Sequence, residues 1–590
     1  MDRLLTGHLL LELPSGIAIQ GAPIGKLEEY LARSGLGVQS SVSWDVLVGR
    51  ADAARVTRDA LRGAIRRWFS WEEALVFTAH QLGMMGAPLE VAGRFVERAA
   101  DLALADDWPA RLLGSESLLA RIRQGGRQLI PLNLHGLLWI MLDALSSPWD
   151  DAAEPLPEAV AMRRFARLVL VASGGFDLDG QAGEVPDFAT GSTERPPFKT
   201  ANALIPAGRL GEHDDVERAL VRAHDLYLEK LPPHWPDAGN VFHTARGMRL
   251  RDWIVGACSV TRQLESNLGK PIVQRPILEM APSHDDQRNL SLAVMRGLSR
   301  TREEFQARLG ELSSSEPGAL PVQAVRETPV LKLDEARYLV LHDDFVLASA
   351  DDGVFYSILD ALPRDARTPF FTAFGLAVED YVHQLLRRCS ASAKGPGCVI
   401  RIAPSKHAKR CDFLWILGNL GVLVEAKRVG LAARHLEGGE PLAVRLAEEL
   451  GEACEQILST RNAIERDEVP ELLEQRGIVM PSRYVGAIVT HRPVFGWFTN
   501  RRDAVPEPLR ESWTDTFGAP PAIWSLADAE LLEAAAQTID LATVFDQVAS
   551  DSPSTYAGLA NLLFGLGVRG SAISPHCTER LGQILGSAGT

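Results

Sequence analysis

The sequence predicts a multidomain α/β (α+β) protein in which a mostly helical N-terminal region precedes a mixed central sheet flanked by helices. Three observations predict this fold class. The chain has 590 residues, which is too long for a single hydrophobic core and predicts two to four domains. Apolar residues recur at three- and four-residue intervals through much of the N-terminal half, which is the helical period. After residue 363 short apolar runs rich in branched and aromatic residues predict buried strands.

Composition narrows the class of protein. Hydrophobic residues make up 46% of the chain and charged residues 23%, as is typical of soluble globular proteins. The formal net charge is −15, so any surface that binds nucleic acid must be a local basic patch. The six cysteines form no CxxC pair, which argues against a zinc ribbon or a disulfide scaffold. There is no signal-peptide pattern and no apolar run of about 18 residues, so we expect a cytoplasmic protein without a membrane span.

Shifts of composition divide the chain into segments. A stretch rich in Gly, Pro, Asp and Thr near 174–211 predicts a loop-rich break, which leaves open whether the N-terminal region holds one subdomain or two. Alternating apolar residues predict three strands at Val330–Leu333, Tyr338–Leu341 and Phe345–Ala348. The predicted segments are the mostly helical region 1–320, the small strand-rich bridge 325–362, the sheet-containing core 363–540 and the short helical C-terminal tail 541–590.

Residues 410–430 predict a β-hairpin around which the core is organised. Two apolar runs, Phe413–Leu417 and Leu420–Val424, flank Gly418 and Asn419, a pair that tolerates the positive φ of a tight turn. Both runs are apolar on both faces, as central strands covered by helices are.

The hairpin register brings charged side chains together. Leu417 should face Leu420, and counting outward places Asp412 opposite Glu425. Cross-strand partners have Cβ atoms roughly 5 Å apart, so the two carboxylates should converge. Lys427 lies two residues after Glu425 and shares its face.

Two carboxylates and a lysine in this arrangement predict a metal and phosphate site. Mg²⁺ takes oxygen ligands at about 2.1 Å and usually binds through one or two carboxylates, waters and substrate phosphate. Asp412, Glu425 and the main-chain carbonyl of Ala426 are the expected ligands for Mg²⁺ or Mn²⁺. Lys427 could orient a water molecule or stabilise charge on the phosphate in the transition state.

An apolar hairpin that ends in Asp and is followed by Glu-X-Lys resembles the PD-(D/E)XK nuclease superfamily, which has the restriction-endonuclease-like fold. The resemblance covers roughly residues 365–530 and rests on a short motif. It implies that Asp412, Glu425 and Lys427 are the catalytic residues. Cys411 stands where the proline of the family's name would be, and many members lack that proline.

The resemblance also implies roles for two helices. The family has a helix before the hairpin, often with an acidic residue. The segment Thr372–Arg388 fits it, with Glu379 as a further catalytic residue and metal ligand and its neighbour Asp380 as the alternative. Exonuclease-like members carry a Gln in the helix after the hairpin. Gln456 in the predicted helix Leu442–Arg466 is the possible accessory residue, although Thr460 stands where those members have a Tyr.

Basic residues beside the hairpin predict a nucleic-acid surface. A run of such residues leads into Asp412, and a cluster of cations attracts a phosphate backbone without regard to sequence. The other reading of this run is an exposed loop without a ligand. The residues predicted to bind nucleic acid, with DNA favoured over RNA, are Lys406, Lys409, Arg410 and Arg428.

The resemblance therefore implies a Mg²⁺- or Mn²⁺-dependent nuclease. No GxxxxGK[ST], HExxH or GxSxG motif indicates a second enzyme. A nuclease core joined to a large unfamiliar region resembles bacterial anti-phage defence effectors, with a homodimer or a partner protein as open possibilities. Two alternatives remain: a structure-specific nuclease of DNA repair or recombination, and an inert nuclease-fold scaffold that binds nucleic acid or protein.

Overall fold

The computed structural model divides into two compact units. The first comprises Met1–His213, Ser259–Ser349 and Ala433–Glu440, and the second comprises Asp214–Cys258, Ala350–Ala432 and Pro441–Thr590. The structure describes residues 11–12, 18–19, 69–85, 141–146, 215–265, 285–315, 323–334, 338–392, 397–403, 409–428, 440–474, 479–492, 505–549, 559, 562–563, 566–568 and 573–586.

The first unit is helical with two small sheets in its described parts. Leu11–Glu12 and Ala18–Ile19 pair as antiparallel strands. In the other sheet the middle strand Val330–Lys332 pairs in parallel with Ser299–Arg300 and antiparallel with Tyr338–Val340. The helices of this unit are Trp71–Met85, 141–146, Asp285–Gly297, Arg302–Ser315, Gln323–Glu327 and Asp343–Ala348.

The predicted strand-rich bridge 325–362 is corrected by the structure. Two of its three strands are present, but the strand predicted at Phe345–Ala348 is wrong because Asp343–Ala348 is a helix. Asp343 and Asp344 occupy the first turn, where negative charge stabilises a helix N-terminus. A second helix, Asp352–Ala361, completes the segment, and the division between the units falls between these two helices. The predicted loop-rich break near 174–211 lies outside the described residues.

The second unit contains the predicted core, and its elements are labelled in chain order. It begins with residues 214–258, which the predicted domain division had assigned to the N-terminal region. A π-helix, Asp225–Lys230, follows directly after α1. The helices that lie wholly or mostly in this unit are α1 Val216–His224, α2 Ala238–Arg246, α3 Leu250–Glu265, α4 Asp352–Ala361, α5 Arg364–Ser392, α6 Glu440–Glu465, α7 Pro470–Glu474, α8 Arg510–Phe517, α9 Leu526–Ala535, α10 Leu541–Ala549 and α11 Pro575–Gly586.

A five-stranded mixed sheet forms the centre of this unit. Its strands are β1 Gly397–Arg401, β2 Phe413–Leu417, β3 Leu420–Lys427, β4 Arg483–Thr490 and β5 Ala522–Ser525. They are ordered β5-β4-β3-β2-β1. The first three strands form an antiparallel meander, and β3, β4 and β5 are parallel neighbours. The mixed sheet flanked by helices agrees with the predicted fold class.

Helices cover both faces of the sheet. The ring of Phe413 on β2 stacks on His383 of α5 with centroids 5.4 Å apart. On β4 the opposite face holds Gly486, where an added Cβ would lie 2.7 Å from the ring of Trp513 in α8 and 3.2 Å from Ile457 in α6. Side chains alternate along a strand, so α5 lies on one face and α6 with α8 on the other. The central strands β2 and β3 are accordingly buried, whereas most of the edge strand β1 is half-buried.

Several predicted elements of the core are confirmed. The helix predicted at Thr372–Arg388 lies within α5, and the helix predicted at Leu442–Arg466 corresponds to α6. Phe370, Phe374 and Tyr381 of α5 are buried and tie this helix to the unit's core. In the described part of the chain, none of the helices combines the length and the apolar character that crossing a membrane requires.

Candidate active site

The hairpin has the register that the sequence predicts. Leu417 pairs with Leu420 and Phe413 with Val424, so the next residues outward, Asp412 and Glu425, are opposite each other. The turn is possible because Gly418 adopts a φ of 62°, a left-handed conformation that costs glycine little.

Backbone hydrogen bonds hold Asp412 at the end of the hairpin. Its carbonyl accepts the N–H of Ile402 at 2.8 Å, and its Oδ2 accepts the N–H of Ala426 at 2.8 Å. The carboxylate is thereby directed toward β3. The N–H and C=O of one residue in an extended strand point to the same side, so the carbonyl of Ala426 is also directed toward Asp412.

Glu425 is a buried carboxylate with one oxygen unsatisfied. The residue is 3% exposed, its Oε1 lies 3.0 Å from Lys427 Nζ, and its Oε2 is buried without a hydrogen-bond partner. Burial raises the pKa of Glu425 well above its usual value, and repulsion from Asp412 raises it further. A buried carboxylate oxygen without a partner is costly unless a cation or a proton satisfies it.

Lys427 reaches the same point from β3. Its Nζ donates to Gln456 Oε1 at 2.6 Å and lies 3.8 Å from Glu452 Oε2. Burial alone would lower the pKa of Lys427, but the surrounding carboxylates, Glu425 foremost, raise it above its usual value. Lys427 is therefore a charged ammonium group in this site.

The helix α6 supports the site through two residues one turn apart. Gln456 accepts from Lys427 and donates from Nε2 to the carbonyl of Arg410 at 3.4 Å. Thr460 is fully buried, and its Oγ1 accepts the N–H of Cys411 at 2.7 Å and donates to the carbonyl of Gln456 at 2.8 Å. The pair thus holds the chain just before Asp412. The hydroxyl of Thr460 was not predicted as a site group, and its hydrogen bond to Cys411 spans 49 residues.

Glu379 lies on α5 and interacts electrostatically with Asp412. Burial raises the pKa of Glu379 to about 7, with repulsion from Asp412 as the next cause. Burial likewise raises the pKa of Asp412 to about 6. The Oε2 of Glu379 lies 3.6 Å from Nη2 of Arg401. Glu379 therefore has a weak ion-pair contact with a cation on β1.

Asp380, the alternative to Glu379, has a different position. Its Oδ2 is 2.8 Å from His234 Nε2, and its Oδ1 is 2.8 Å from Nη1 of Arg401. Burial alone would raise the pKa of Asp380, but the hydrogen bonds from His234 and Arg401 lower it. Asp380 is satisfied by these two partners and orients Arg401. His234 and Arg401 were not predicted as site residues, since only the fold brings them to α5.

The predicted nucleic-acid-binding residues have mixed surroundings. Lys409 Nζ lies 2.7 Å from Glu455 Oε2 at an exposed position, and Arg410 donates to the carbonyl of Glu468 at 2.6 Å. The guanidinium of Arg428 lies over the ring of Phe371, 4.2 Å from its centroid. Lys406 lies outside the described residues. These contacts do not test whether the basic residues bind nucleic acid, so that role stays a prediction.

The predicted metal ligands do not form a compact set of three in the part of the chain that the structure describes. Among the described residues, two sets of three groups have ligand atoms within 4.8 Å of one another, and Asp412, Glu425 and Glu379 are not such a set. Glu425 pairs with Lys427 at 3.0 Å, and Glu379 lies 3.6 Å from Arg401. The two compact sets are His224, Asp225 and Glu229, and Asp351, Asp352 and His491.

These two compact sets have protein cations as partners. Arg580 lies 2.8 Å from Asp225 Oδ1 and also pairs with Glu229. In the other set, the two oxygens of Asp351 accept from His491 at 3.1 Å and from Arg222 at 3.2 Å. The Asp412 and Glu425 pair differs because one buried carboxylate oxygen there has no partner.

The chain was compared with protein-family models, with curated proteins and with solved structures, and none of them matched. The hairpin site offers carboxylate oxygens to a divalent cation. It also has an ammonium group beside these oxygens and an exposed arginine at its edge. Such a set can hold a cation and a phosphate together.

Proposed function

We propose that the second unit is a metal-dependent nuclease that hydrolyses phosphodiester bonds, with DNA as the favoured substrate. The observation that carries the proposal is the convergence of Asp412, Glu425 and Lys427 at the end of the hairpin. Among these groups the buried Oε2 of Glu425 has no partner in the protein. A divalent cation would satisfy that oxygen and offset the repulsion between the two carboxylates.

Each residue has a role that its position supports. Asp412 and Glu425 would hold Mg²⁺ or Mn²⁺, with the carbonyl of Ala426 beside them and Glu379 joining once it leaves Arg401. When bound, the ion would lower the pKa of a water molecule and neutralise negative charge on the phosphate. Lys427, held by Gln456, orients the attacking water and stabilises charge on the phosphate oxygens. Thr460 keeps the backbone before Asp412 in place.

The biological setting is proposed by analogy of architecture. A nuclease unit joined in one chain to a large helical unit suits an effector of bacterial anti-phage defence, in which the helical unit senses or restrains the nuclease unit. A role in DNA repair or recombination would instead require a preference for junctions, flaps or ends. Comparing cleavage of a flap, a junction and a plain duplex separates the two settings.

The test is cleavage of supercoiled plasmid, linear duplex, single-stranded DNA and RNA in the presence of Mg²⁺ or Mn²⁺. Wild type is compared with Asp412→Asn, which removes a charge but keeps the shape. The matched control is Asp546→Asn, because Asp546 of α10 is 48% exposed and pairs with Arg483 far along the sheet from Asp412. We expect wild type and the control to cleave, and Asp412→Asn to lose about 100-fold or more.

Two results would contradict the proposal. Cleavage by Asp412→Asn at the rate of wild type would place any activity elsewhere. No cleavage of any of the four substrates by wild type, with either metal ion, would favour the inert scaffold, for which metal-independent binding of nucleic acid is the expected property.

A further inference from the structure

Arg401 is the cation at the rim of the candidate active site. It is the last residue of the edge strand β1, directly opposite Phe413. Its side chain is 42% exposed, and its guanidinium lies 5.7 Å from the centre of the Phe413 ring. Its Nη2 lies 3.6 Å from Glu379 Oε2, and its cross-strand partner Phe413 directly follows Asp412 in the chain. Arg401 therefore combines access to solvent with proximity to the site.

The guanidinium has one firm partner and one weak partner. Asp380 Oδ1 is 2.8 Å from its Nη1, and Asp380 is itself held by His234 at 2.8 Å through its other oxygen. Glu379 Oε2 is 3.6 Å from Nη2 and completes no short hydrogen bond. The Asp380 contact orients the guanidinium, while the contact with Glu379 can exchange for another anion at little cost.

A polyanionic substrate needs such a group. The site holds the carboxylates Asp412, Glu425 and Glu379, which repel phosphate, and the ammonium group of Lys427 is only 13% exposed and occupied by Glu425 and Gln456. Lys409 and Arg410, which the sequence suggested for this task, contact Glu455 and the carbonyl of Glu468. A planar guanidinium donates two parallel hydrogen bonds to a phosphate, which an ammonium group cannot do.

We propose that Arg401 is a substrate-binding residue that contacts a phosphate of the nucleic-acid backbone at the site, with Asp380 and His234 as the residues that position it. In the absence of substrate its free edge faces Glu379. A phosphodiester then replaces Glu379 at Arg401, which releases Glu379 toward Asp412. This inference rests on the proposed nuclease function and adds a residue that binds the substrate.

The test is binding of a fluorescent 30-base-pair duplex and of its single strand by the full chain, in Ca²⁺ and without divalent ions, over a range of salt. Arg401→Ala is compared with Arg401→Lys and with Arg483→Ala. Arg483 is a matched control because it is 50% exposed, pairs with one aspartate and lies opposite Leu420 at the turn end of the sheet. Thermal unfolding of each variant checks that the fold is kept.

We expect Arg401→Ala to weaken binding about tenfold, the size of one charge-assisted hydrogen bond. The slope of log K against log salt should fall by about one, because one phosphate contact is lost. Arg401→Lys should restore the slope but only part of the affinity, since it keeps the charge and loses the planar donor pair. Arg483→Ala should bind like wild type.

The outcomes separate this inference from the proposed function. If wild type shows metal-dependent cleavage but Arg401→Ala has the same affinity and salt slope as wild type, the inference about Arg401 is wrong and the nuclease proposal stands. If wild type binds through Arg401 but no substrate is cleaved, the inference stands and the nuclease proposal fails. No binding of either probe by wild type overturns the inference.

Discussion

Two clusters of buried charge in the second unit are built in opposite ways. The hairpin site consists of Asp412, Glu425 and Lys427. The paired cluster consists of Arg222, Asp351, His491 and Glu530, and it begins where β4 ends. Both lie at the end of the sheet where the parallel strands terminate, since His491 donates its N–H to the carbonyl of Lys427 at 2.9 Å. The two clusters lie at the same end of the sheet, but they differ in how their carboxylates are paired.

In the paired cluster, each described carboxylate oxygen has a donor. Arg222 contacts Asp351 at 3.2 Å and Glu530 at 2.8 Å. The other oxygen of Glu530 accepts from the hydroxyl of Tyr381 at 2.8 Å. In the hairpin site Lys427 pairs with Glu425 Oε1 at 3.0 Å, whereas Glu425 Oε2 has no partner. The paired cluster therefore holds the fold together, whereas the hairpin site has capacity for a ligand.

The largest expected effect is on the paired cluster. Glu530→Ala leaves Arg222 as a buried charge that has lost one of its carboxylates, so we expect a loss of about 3–5 kcal/mol in the free energy of unfolding. Urea unfolding followed by circular dichroism measures it. Glu455→Ala removes an exposed carboxylate that pairs with Lys409 and should cost less than about 1 kcal/mol. Equal losses of stability in Glu530→Ala and Glu455→Ala would show that the buried cluster contributes no more to the fold than an exposed ion pair does.

The pH dependence of stability should differ with and without metal. The pKa values of Asp412 and Glu379 are raised to about 6 and about 7. A raised carboxyl pKa means that the folded protein binds the proton more tightly than the unfolded chain does. The stability from these two groups is therefore complete below about pH 4 and is lost as pH rises through 6 and 7.

A divalent cation should reverse this loss. Mg²⁺ at about 100 times its dissociation constant would stabilise the protein by about 2–3 kcal/mol at pH 8, and by less than 1 kcal/mol at pH 5, where protons compete for the same oxygens. Thermal unfolding at both pH values, with EDTA or Mg²⁺, measures the difference. A Mg²⁺ effect of the same size at pH 5 and pH 8 would go against carboxylate ligands with raised pKa values.

In metal-free buffer, Asp412→Asn should stabilise the protein. The substitution removes a repulsive charge beside Glu425 and keeps an oxygen to accept from Ala426, so we expect a gain of about 1–2 kcal/mol at pH 8 after allowance for solvent screening. At pH 4 the gain should vanish, because Asp412 is then protonated. A destabilised variant at pH 8 would mean that Asp412 is already paired as well as the carboxylates of the other cluster.

A stability effect of similar size, with the opposite sign, is expected at Thr460. Thr460→Val keeps the shape but leaves the N–H of Cys411 without its acceptor, which should cost about 1–2 kcal/mol and slow any metal-dependent cleavage. Thr514→Val is the matched control, since Thr514 is exposed on α8 and its hydroxyl bonds only within the helix. Similar stability of Thr460→Val and Thr514→Val would show that the hydroxyl of Thr460 does not support the backbone before Asp412.

The sequence predicted what local patterns determine. The hairpin register follows from the turn at Gly418 and from the lengths of the two apolar runs, and with it the pairing of Asp412 with Glu425. The family resemblance, and no local pattern, placed Glu379 on a helix before the hairpin, and the structure has that helix as α5. The segment at Phe345–Ala348 was misassigned, because a short apolar run fits a strand or a buried helix turn equally well.

What the sequence could not provide is set by long-range packing. His234 meets Asp380 across 146 residues, and Arg222 meets Glu530 across 308 residues. No local spacing encodes such contacts. The partners of Arg401 could not be predicted from the sequence for this reason. The same holds for which buried carboxylates are paired and which are not.

We expect the hairpin site to bind a divalent cation through Asp412 and Glu425. Calorimetric titration of the metal-free protein with Mn²⁺ at pH 7.5 tests this for wild type, Asp412→Asn and the control Asp546→Asn. Wild type and the control should show a saturable binding event that is lost in Asp412→Asn. Equal Mn²⁺ binding by Asp412→Asn and wild type, or no binding by wild type, would contradict this expectation.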